Sequence, residues 1–279
     1  MIEIRNLDFS YKKTPVFSNI NLSFPEGSIY GLLGENGVGK TTLLKIICGL
    51  QRPLFGSCTV DGFVSHERQP EMLQRIVFLP DEEKAFGEGA GKETPQQYVN
   101  ELVPFYPTFS QATFLHLMQE LEVEPDRRFK EMSFGQQKKS LIAACLSLGT
   151  DYVLLDEPTN GLDIPSKGQF RSILSKYVDE KHTVIISTHQ VKDVENLIDP
   201  IVILNNNAVL LDATVQRITE KLYFEYGGEK RDDALYSEMQ PGGFLNVVPN
   251  TTGDESPINI EALFNAVLRN KNQIKEMFK

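Results

Sequence analysis

The chain has 279 residues, of which 41% are hydrophobic and 24% charged, and its formal net charge is −10 at pH 7. This composition is that of an ordinary globular protein, and the acidic balance leaves no electrostatic footprint for nucleic acid, so we expect no nucleic-acid partner. No signal-peptide layout and no run of ~20 apolar residues is present, which predicts a cytoplasmic protein whose membrane role would depend on a partner.

The first 50 residues predict two strands, a third buried strand and a helix. Apolar residues alternate over residues 2–9 and 20–24, which is typical of strands. The apolar run 28–33 predicts a buried strand, and helical spacing of apolar residues from Leu43 stops at Gly49. A glycine-rich loop joins this strand to this helix.

That loop, Gly34 to Thr41, matches the pattern G-x-x-x-x-G-K-S/T in the strand–loop–helix setting that gives the pattern its meaning. Glycines let the backbone N–H groups wrap around phosphate, and the helix N-terminus favours an anion. Lys40 would reach the terminal phosphates of ATP, and the Thr41 hydroxyl would hold Mg²⁺. The predicted nucleotide-binding residues of this segment are Gly34, Glu35, Asn36, Gly37, Val38, Gly39, Lys40, Thr41 and Thr42.

The middle of the chain predicts a helical insertion in an α/β core. After a strand over residues 75–79 and a polar loop from Asp81 to about Lys92, helical spacing appears in 98–103, in 114–121 and from Ser133. Strands over 152–155 and 183–186 then alternate with helices over 170–178 and 191–198, before a hairpin over 201–211. Continuously apolar strands separated by helices predict an α/β fold with a mostly parallel sheet covered on both faces.

The pattern changes near residue 215, where glycine and proline divide the tail into short pieces. Only its last piece, around Ile260 to Leu268, keeps helical spacing. We therefore predict an ATP-binding domain over residues 1–214, with a helical subdomain at about 92–148, and a C-terminal extension over 215–279. The extension either covers the apolar surface of the core or makes dimer or regulatory contacts.

Two carboxylates, Asp156 and Glu157, come directly after the buried strand 152–155. Open α/β sheets bind ligands at this end of their strands. Asp156 would order Mg²⁺ and its waters, and Glu157 is placed to orient and deprotonate a water in line with the γ-phosphate.

Three further segments decide between the many classes of phosphate-loop protein. They are Met132-Ser133-Phe134-Gly135-Gln136, then Leu154 to Asp163, and then Ser187-Thr188-His189. In order and spacing, residues 1 to about 212 resemble the nucleotide-binding subunits of ATP-binding cassette (ABC) transporters. The tail resembles extensions of drug- and antibiotic-type exporters.

The resemblance implies a phosphate-loop NTPase core with an N-terminal antiparallel β subdomain and an inserted α-helical subdomain. It also implies two cassettes, identical or paralogous, that meet head to tail with ATP between one phosphate loop and Ser133, Gly135 and Gln136 of the other. Glu157 would be the general base, and His189 would hold the γ-phosphate and the attacking water. Tyr11 would stack on adenine, and Asp163 would lie in the loop beside the nucleotide. Ser133 and Asp163 also suit plain helix caps.

Two residues depart from the family pattern. Asp81 stands where the family carries a glutamine that touches Mg²⁺ and relays the state of the membrane partner. The acidic side chain keeps an oxygen ligand for the metal but adds a charge and shortens the reach. Phe134 replaces a glycine of the signature segment.

The resemblance implies an ATPase subunit of an export-type transporter, peripheral on the inner face of the cell membrane and bound to an integral membrane permease. Two alternatives stay open: a soluble ABC ATPase outside transport, for example in cluster assembly, and an inactive nucleotide-binding interaction module. The resemblance also implies that the transported substrate is recognised by another polypeptide.

Overall fold

The computed structural model describes residues 1–81 and 93–278. All but the first residue of the predicted polar loop from Asp81 to about Lys92, and the predicted start of the helical subdomain, lie outside these ranges. Within them the chain forms three sheets, flanked by helices.

The first sheet is antiparallel and has the strand order β2-β1-β4-β5. Its strands are β1 (Ile2–Tyr11), β2 (Thr14–Phe24), β4 (Phe55–Val60) and β5 (Phe63–Val64). The period of two holds over Ile2 and Ile4 and again over Leu7 and Phe9, and a register shift between Ile4 and Leu7 lets all four side chains join one apolar cluster. This sheet is the predicted N-terminal antiparallel subdomain.

The second sheet has the order β10-β9-β3-β8-β7-β6, and its strands are parallel except for β10. Every residue of β3, β7 and β8 is buried, as expected for strands with helices on both faces. The predicted fold class is thereby confirmed. The six strands are β3 (Ile29–Leu33), β6 (Ile76–Leu79), β7 (Tyr152–Asp156), β8 (Thr183–Thr188), β9 (Ile201–Asn205) and β10 (Ala208–Ala213).

Six helices precede β9 in the described part of the chain. They are α1 (Lys40–Ile47), α2 (Pro70–Leu73), α3 (Pro95–Leu102), α4 (Gln111–Glu120), α5 (Phe134–Ser147) and α6 (Ile164–Tyr177). The helices α3 to α5 form the predicted helical insertion between β6 and β7. In residues 1–81 and 93–278, no helix combines the length and apolar character that crossing a bilayer requires.

The predicted helix over 191–198 is wrong. The structure has one 3₁₀ turn, Val191–Asp193, followed by tight turns in which Val194 N bonds Val191 O at 3.0 Å and Leu197 N bonds Val194 O at 2.9 Å. Val191, Val194 and Ile198 are buried and Leu197 is partly buried, so the spacing identified the inward face correctly. A helix does not form because the chain must already bridge back to Ile29 at Asp199, directly before β9.

The tail contains a sheet that the sequence did not predict. Three antiparallel strands in the order β11-β13-β12 lie between α7 and two terminal helices. The helix α8 buries Leu263 and Val267 in the same apolar cluster as Val191 and Ile198 of the core, so the tail covers core surface. The predicted boundary at residue 214 stays a prediction. The elements of the tail are α7 (Val215–Lys221), β11 (Leu222–Gly227), β12 (Tyr236–Gln240), β13 (Gly243–Pro249), α8 (Ile260–Arg269) and α9 (Lys271–Met277).

Candidate nucleotide site

Three chain segments with polar residues meet at one edge of the parallel sheet. The strands β3, β8 and β7 are neighbours, so their carboxyl ends lie side by side. The phosphate loop follows β3, Asp156 ends β7 with Glu157 directly after it, and His189 follows β8. Topology therefore gathers residues that are more than 150 positions apart in the sequence.

The phosphate loop approaches β2 closely at its last glycine. Gly39 has φ of +109°, and a Cβ placed on it would lie 2.8 Å from the Phe17 ring. Only glycine meets both conditions without strain. The loop can therefore turn directly into α1, whose N-terminal N–H groups are the natural partners of an anion.

Lys40 is folded back over this loop and is 6% exposed. Its Nζ donates to the backbone oxygens of Gly34 at 2.7 Å and Glu35 at 3.3 Å. Burial lowers the pKa of the Lys40 ammonium, and the carboxylates of Glu157 and Asp156 oppose that shift. A buried cation with two carbonyl partners is suited to receive phosphate oxygens.

Thr41 and Asp156 place two oxygens side by side across 115 positions of sequence. The Thr41 hydroxyl donates to Asp156 Oδ2 at 2.6 Å, and the Ser187 hydroxyl donates to the other carboxylate oxygen. Mg²⁺ prefers such hard oxygen ligands and is usually held by one or two carboxylates together with phosphate. The donor set therefore fits this metal.

Glu157 is held by several donors at once and is 7% exposed. His189 Nδ1 lies 2.7 Å from its Oε1, the His189 backbone N–H donates at 3.1 Å, and the Thr188 hydroxyl donates to Oε2 at 3.0 Å. Lys40 Nζ is 3.6 Å from the same Oε1. The carboxylate is therefore fixed in direction, as an oriented base must be.

A cavity of about 620 Å³ opens in front of these groups. Tyr11 at the end of β1 lines it together with the phosphate loop. The predicted residues that line this cavity are Tyr11, Asn36, Gly37, Gly39, Lys40, Thr41, Thr42, Asp81, Asp156 and Glu157.

Three further predicted residues lie beside this cavity. Gly34, Glu35 and His189 line a smaller neighbouring cavity of about 230 Å³, to which Phe264 of α8 also contributes. Val38 packs against Gly34, where an added Cβ would lie 2.6 Å from Val38 Cγ2. The helix α8 therefore reaches the segment that carries His189.

The remaining predicted residues form a second group at the start of α5 and α6. The Ser133 hydroxyl accepts from Gln136 N at 3.3 Å, and Gln136 Oε1 accepts from Ser133 N at 3.0 Å. Asp163 accepts from Ser166 N at 2.9 Å. Gly135 packs on the backbone before α6, because a Cβ there would lie 3.2 Å from Gly161 O. None of these residues lines the cavity in front of the phosphate loop.

Sequence reasoning missed Lys138, Asn160 and Gln190, which join the two groups. Lys138 Nζ lies 2.9 Å from Asp81 Oδ1, and Asn160 bridges Asp81 and Gln190. The helical spacing of apolar residues in the sequence could have identified Lys138 as a buried lysine. It lies three and four positions before Leu141 and Ile142, so helical period places this lysine on the buried face of α5.

Comparison with known proteins places these features in a family. The sequence model described as ABC transporter matches residues 17–160. The chain is 30% identical over 248 residues to the lantibiotic transport ATP-binding protein SrtF of Streptococcus pyogenes, covering 86% of this chain and 97% of SrtF. It is also 30% identical to the ABC transporter ATP-binding protein NatA of Bacillus subtilis, covering 79% of this chain and 88% of NatA.

A solved structure of similar fold is the dimeric ATP-binding cassette MJ0796 in a post-hydrolysis state, bound to ADP and Pi. Its TM-score is 0.67 at 22% identity, covering 77% of this chain and 99% of that one. This likeness supports the fold.

Proposed function

The chain belongs to the ABC transporter family as an ATP-binding protein, and from this we propose that it hydrolyses ATP to drive export through a separate membrane subunit. The observation that carries the proposal is the Glu157 carboxylate, held 2.7 Å from His189 Nδ1 and 3.6 Å from Lys40 Nζ. ATP hydrolysis by the purified chain, alone and reconstituted with the permease, is the direct test. Absence of hydrolysis in both states would contradict it.

The proposed chemistry follows from the positions of the phosphate loop, Lys40, Glu157 and His189 in the candidate site. The phosphate loop and Lys40 would bind the β- and γ-phosphates, and Glu157 would accept a proton from a water in line with the γ-phosphate. His189 would keep the carboxylate and that water in line. The Thr188 and backbone hydrogen bonds to Glu157 reduce its freedom, so less entropy is lost on reaching the reactive geometry.

Thr41 and Asp156 would hold Mg²⁺, and Asp81 is the third predicted ligand. When bound, the metal neutralises charge that develops on the β- and γ-phosphate oxygens. The oxygen pair 2.6 Å apart between Thr41 and Asp156 supports this assignment.

A second cassette would complete the site. Ser133 and Gly135 lie at the N-terminus of α5, outside the cavity that the phosphate loop lines. The Ser133 hydroxyl accepts a bond from Gln136 N–H, which leaves its own proton free to donate to a γ-phosphate of the partner cassette. The dimeric, ADP- and Pi-bound cassette of the same fold supports this arrangement.

Replacement of Ser133 tests the composite site. In Ser133→Ala we expect ATPase activity to fall about 10- to 100-fold, since a hydrogen bond to a charged group is lost. The free energy of unfolding should fall by about 1 kcal/mol, because the cap of α5 is also lost. Steady-state hydrolysis and urea unfolding measure the two effects.

Ser110→Ala is the matched control, because Ser110 caps α4 in the same way through Thr113 N. It should lose similar stability and keep its ATPase activity. Equal activities of the two variants would remove Ser133 from the reaction.

A membrane partner needs a surface on which to dock. A groove of about 540 Å³ beside α2 and α3 is largely apolar, and Leu50 and Phe105 on its rim are 51% and 66% exposed. Phe78 of β6 lines the same groove, two positions before Pro80 at the nucleotide cavity. We assign this groove to a permease segment, which would hold the chain peripherally on the inner face of the membrane.

Phe105→Ser should weaken copurification with the permease and leave ATP binding by the isolated chain unchanged, because Phe105 does not line the nucleotide cavity. Met239→Ser, at a residue 75% exposed on β12, is the matched control. Retained association of the Phe105 variant would place the permease elsewhere. A neighbouring reading frame that encodes several membrane spans would supply the permease for this test.

A further inference from the structure

Lys138 lies where the signature helix, the end of β6 and the loop after β7 meet. It is a residue of α5 and is only 6% exposed. Its Nζ donates to the backbone oxygen of Glu157 at 2.5 Å and to Asp81 Oδ1 at 2.9 Å. One ammonium group thus contacts both the backbone of the proposed base and the acidic residue that replaces the expected glutamine.

Both oxygens of Asp81 already have protein partners. Lys138 occupies Oδ1, and Asn160 Nδ2 donates to Oδ2 at 2.9 Å. Asn160 in turn accepts from Gln190 Nε2 at 3.0 Å, and Gln190 directly follows His189. A continuous chain of hydrogen bonds therefore runs from the end of β6 to the segments after β7 and β8.

Phe134, the other departure from the family pattern, contacts the same lysine. Its ring centroid lies 5.7 Å from Lys138 Nζ, within the range of a cation–π interaction. The ring also packs on the loop that carries Asn160, since a Cβ on Gly161 would lie 2.3 Å from Phe134 Cδ1. The two departures are therefore neighbours of one buried cation.

Glu157 needs such support. Its φ is +46°, a left-handed conformation that costs a residue with a side chain about 1–2 kcal/mol unless its surroundings hold it. Its carboxylate is fixed by His189 and Thr188. Its carbonyl oxygen accepts from Lys138 Nζ at 2.5 Å and from Asn160 N at 3.2 Å. A buried ammonium needs a counter-charge, and Asp81 supplies it.

We propose that Lys138 is a positioning residue that ties Asp81 to the backbone of Glu157, and that Asp81 acts as the counter-charge of Lys138, not as a Mg²⁺ ligand. This inference rests on the proposed ATPase function. In this arrangement a displacement of Asp81 shifts Lys138 and, through the bond from Lys138 to the Glu157 carbonyl, the proposed base. The relay that the family assigns to a glutamine would here be an ion pair.

The first test replaces Lys138 by methionine, which keeps much of its length and removes its charge. We expect kcat for ATP to fall about 10- to 100-fold, because a misplaced base is costly. KM for ATP should change less than about threefold, since the phosphate loop is untouched.

Lys139→Met is the matched control. Lys139 is a neighbouring buried lysine of α5, 9% exposed, whose Nζ donates to Leu121 O at 3.1 Å, away from Glu157. It should keep its kcat. Wild-type kcat in Lys138→Met, or equal losses in the two variants, would overturn the proposal.

The second test is a double-mutant cycle with Asp81→Asn. If the two residues act as one unit, kcat of the double variant should be no lower than that of Lys138→Met alone. The Mg²⁺ concentration for half-maximal activity should stay within about twofold in Asp81→Asn. If the fold-losses of kcat in the two single variants multiply in the double variant, or if Asp81→Asn needs a much higher Mg²⁺ concentration, the ion-pair assignment is overturned.

Thermal unfolding separates this inference from the proposed function. The shift in Tm of the double variant should be smaller than the sum of the single shifts, whether or not the wild-type chain hydrolyses ATP. Additive shifts would contradict the Lys138–Asp81 pair, whereas an inactive wild type with non-additive shifts would contradict only the ATPase proposal.

Discussion

Glu157→Gln should abolish steady-state ATP hydrolysis while leaving ATP binding intact. Loss of a general base costs about 10²- to 10⁴-fold in rate. Glutamine has nearly the same shape and keeps an oxygen acceptor for the donors around position 157, namely His189 and Thr188. Because ATP is bound and not consumed, the variant should accumulate as an ATP-dependent dimer. Phosphate release and size-exclusion chromatography with ATP measure the two effects.

Glu124→Gln is the control for this experiment. It removes the same charge at an exposed position between α4 and α5, outside the nucleotide cavity. The control should hydrolyse ATP and remain monomeric at the protein concentration used. Turnover by Glu157→Gln at the wild-type rate would show that another group removes the proton.

The central part of the fold was predictable because the local sequence patterns there agree with the elements that the whole fold requires. Residues 28–49 combine an apolar strand, a glycine-rich loop and a helix pattern, and the structure forms β3 and α1 at those positions. Likewise, Asp156 and Glu157 follow a continuously apolar run, which is typical of a strand covered on both faces, and the structure forms β7 there. In these places a short stretch of sequence contains the information that fixes the conformation.

What could not be predicted depends on contacts between distant segments. Tyr223 pairs with Val248 in the tail, but neither short, glycine-bounded segment has a sequence pattern that predicts this pairing. The third sheet was therefore missed. The turns over 191–198 arise because β9 must begin close by, although the apolar spacing favours a helix. In the candidate site, the contacts of Lys138 could not be predicted for the same reason, since its partners Asp81 and Glu157 are 57 and 19 positions away.

Lys40→Ala should weaken ATP binding about 10- to 100-fold, since charge-assisted hydrogen bonds to phosphate are worth about 1.5–3 kcal/mol. The structure gives a second reason for a large effect. Lys40 Nζ lies 3.6 Å from Glu157 Oε1, so its removal leaves this buried carboxylate with one cationic neighbour fewer. The negatively charged γ-phosphate would approach the same carboxylate. Repulsion between the two anions would add to the lost attraction.

Lys275→Ala, which removes the same charge from an exposed position of α9, is the control for the change in net charge. Titration with a fluorescent ATP analogue should give wild-type affinity for the control and weakened affinity for Lys40→Ala. If Lys40 acts partly by screening Glu157, then Lys40→Ala combined with Glu157→Gln should bind ATP more tightly than Lys40→Ala alone, because the unscreened carboxylate is gone. Affinity of the double variant equal to that of Lys40→Ala would assign the whole loss to direct phosphate contacts, and unchanged affinity of Lys40→Ala itself would remove Lys40 from the binding site.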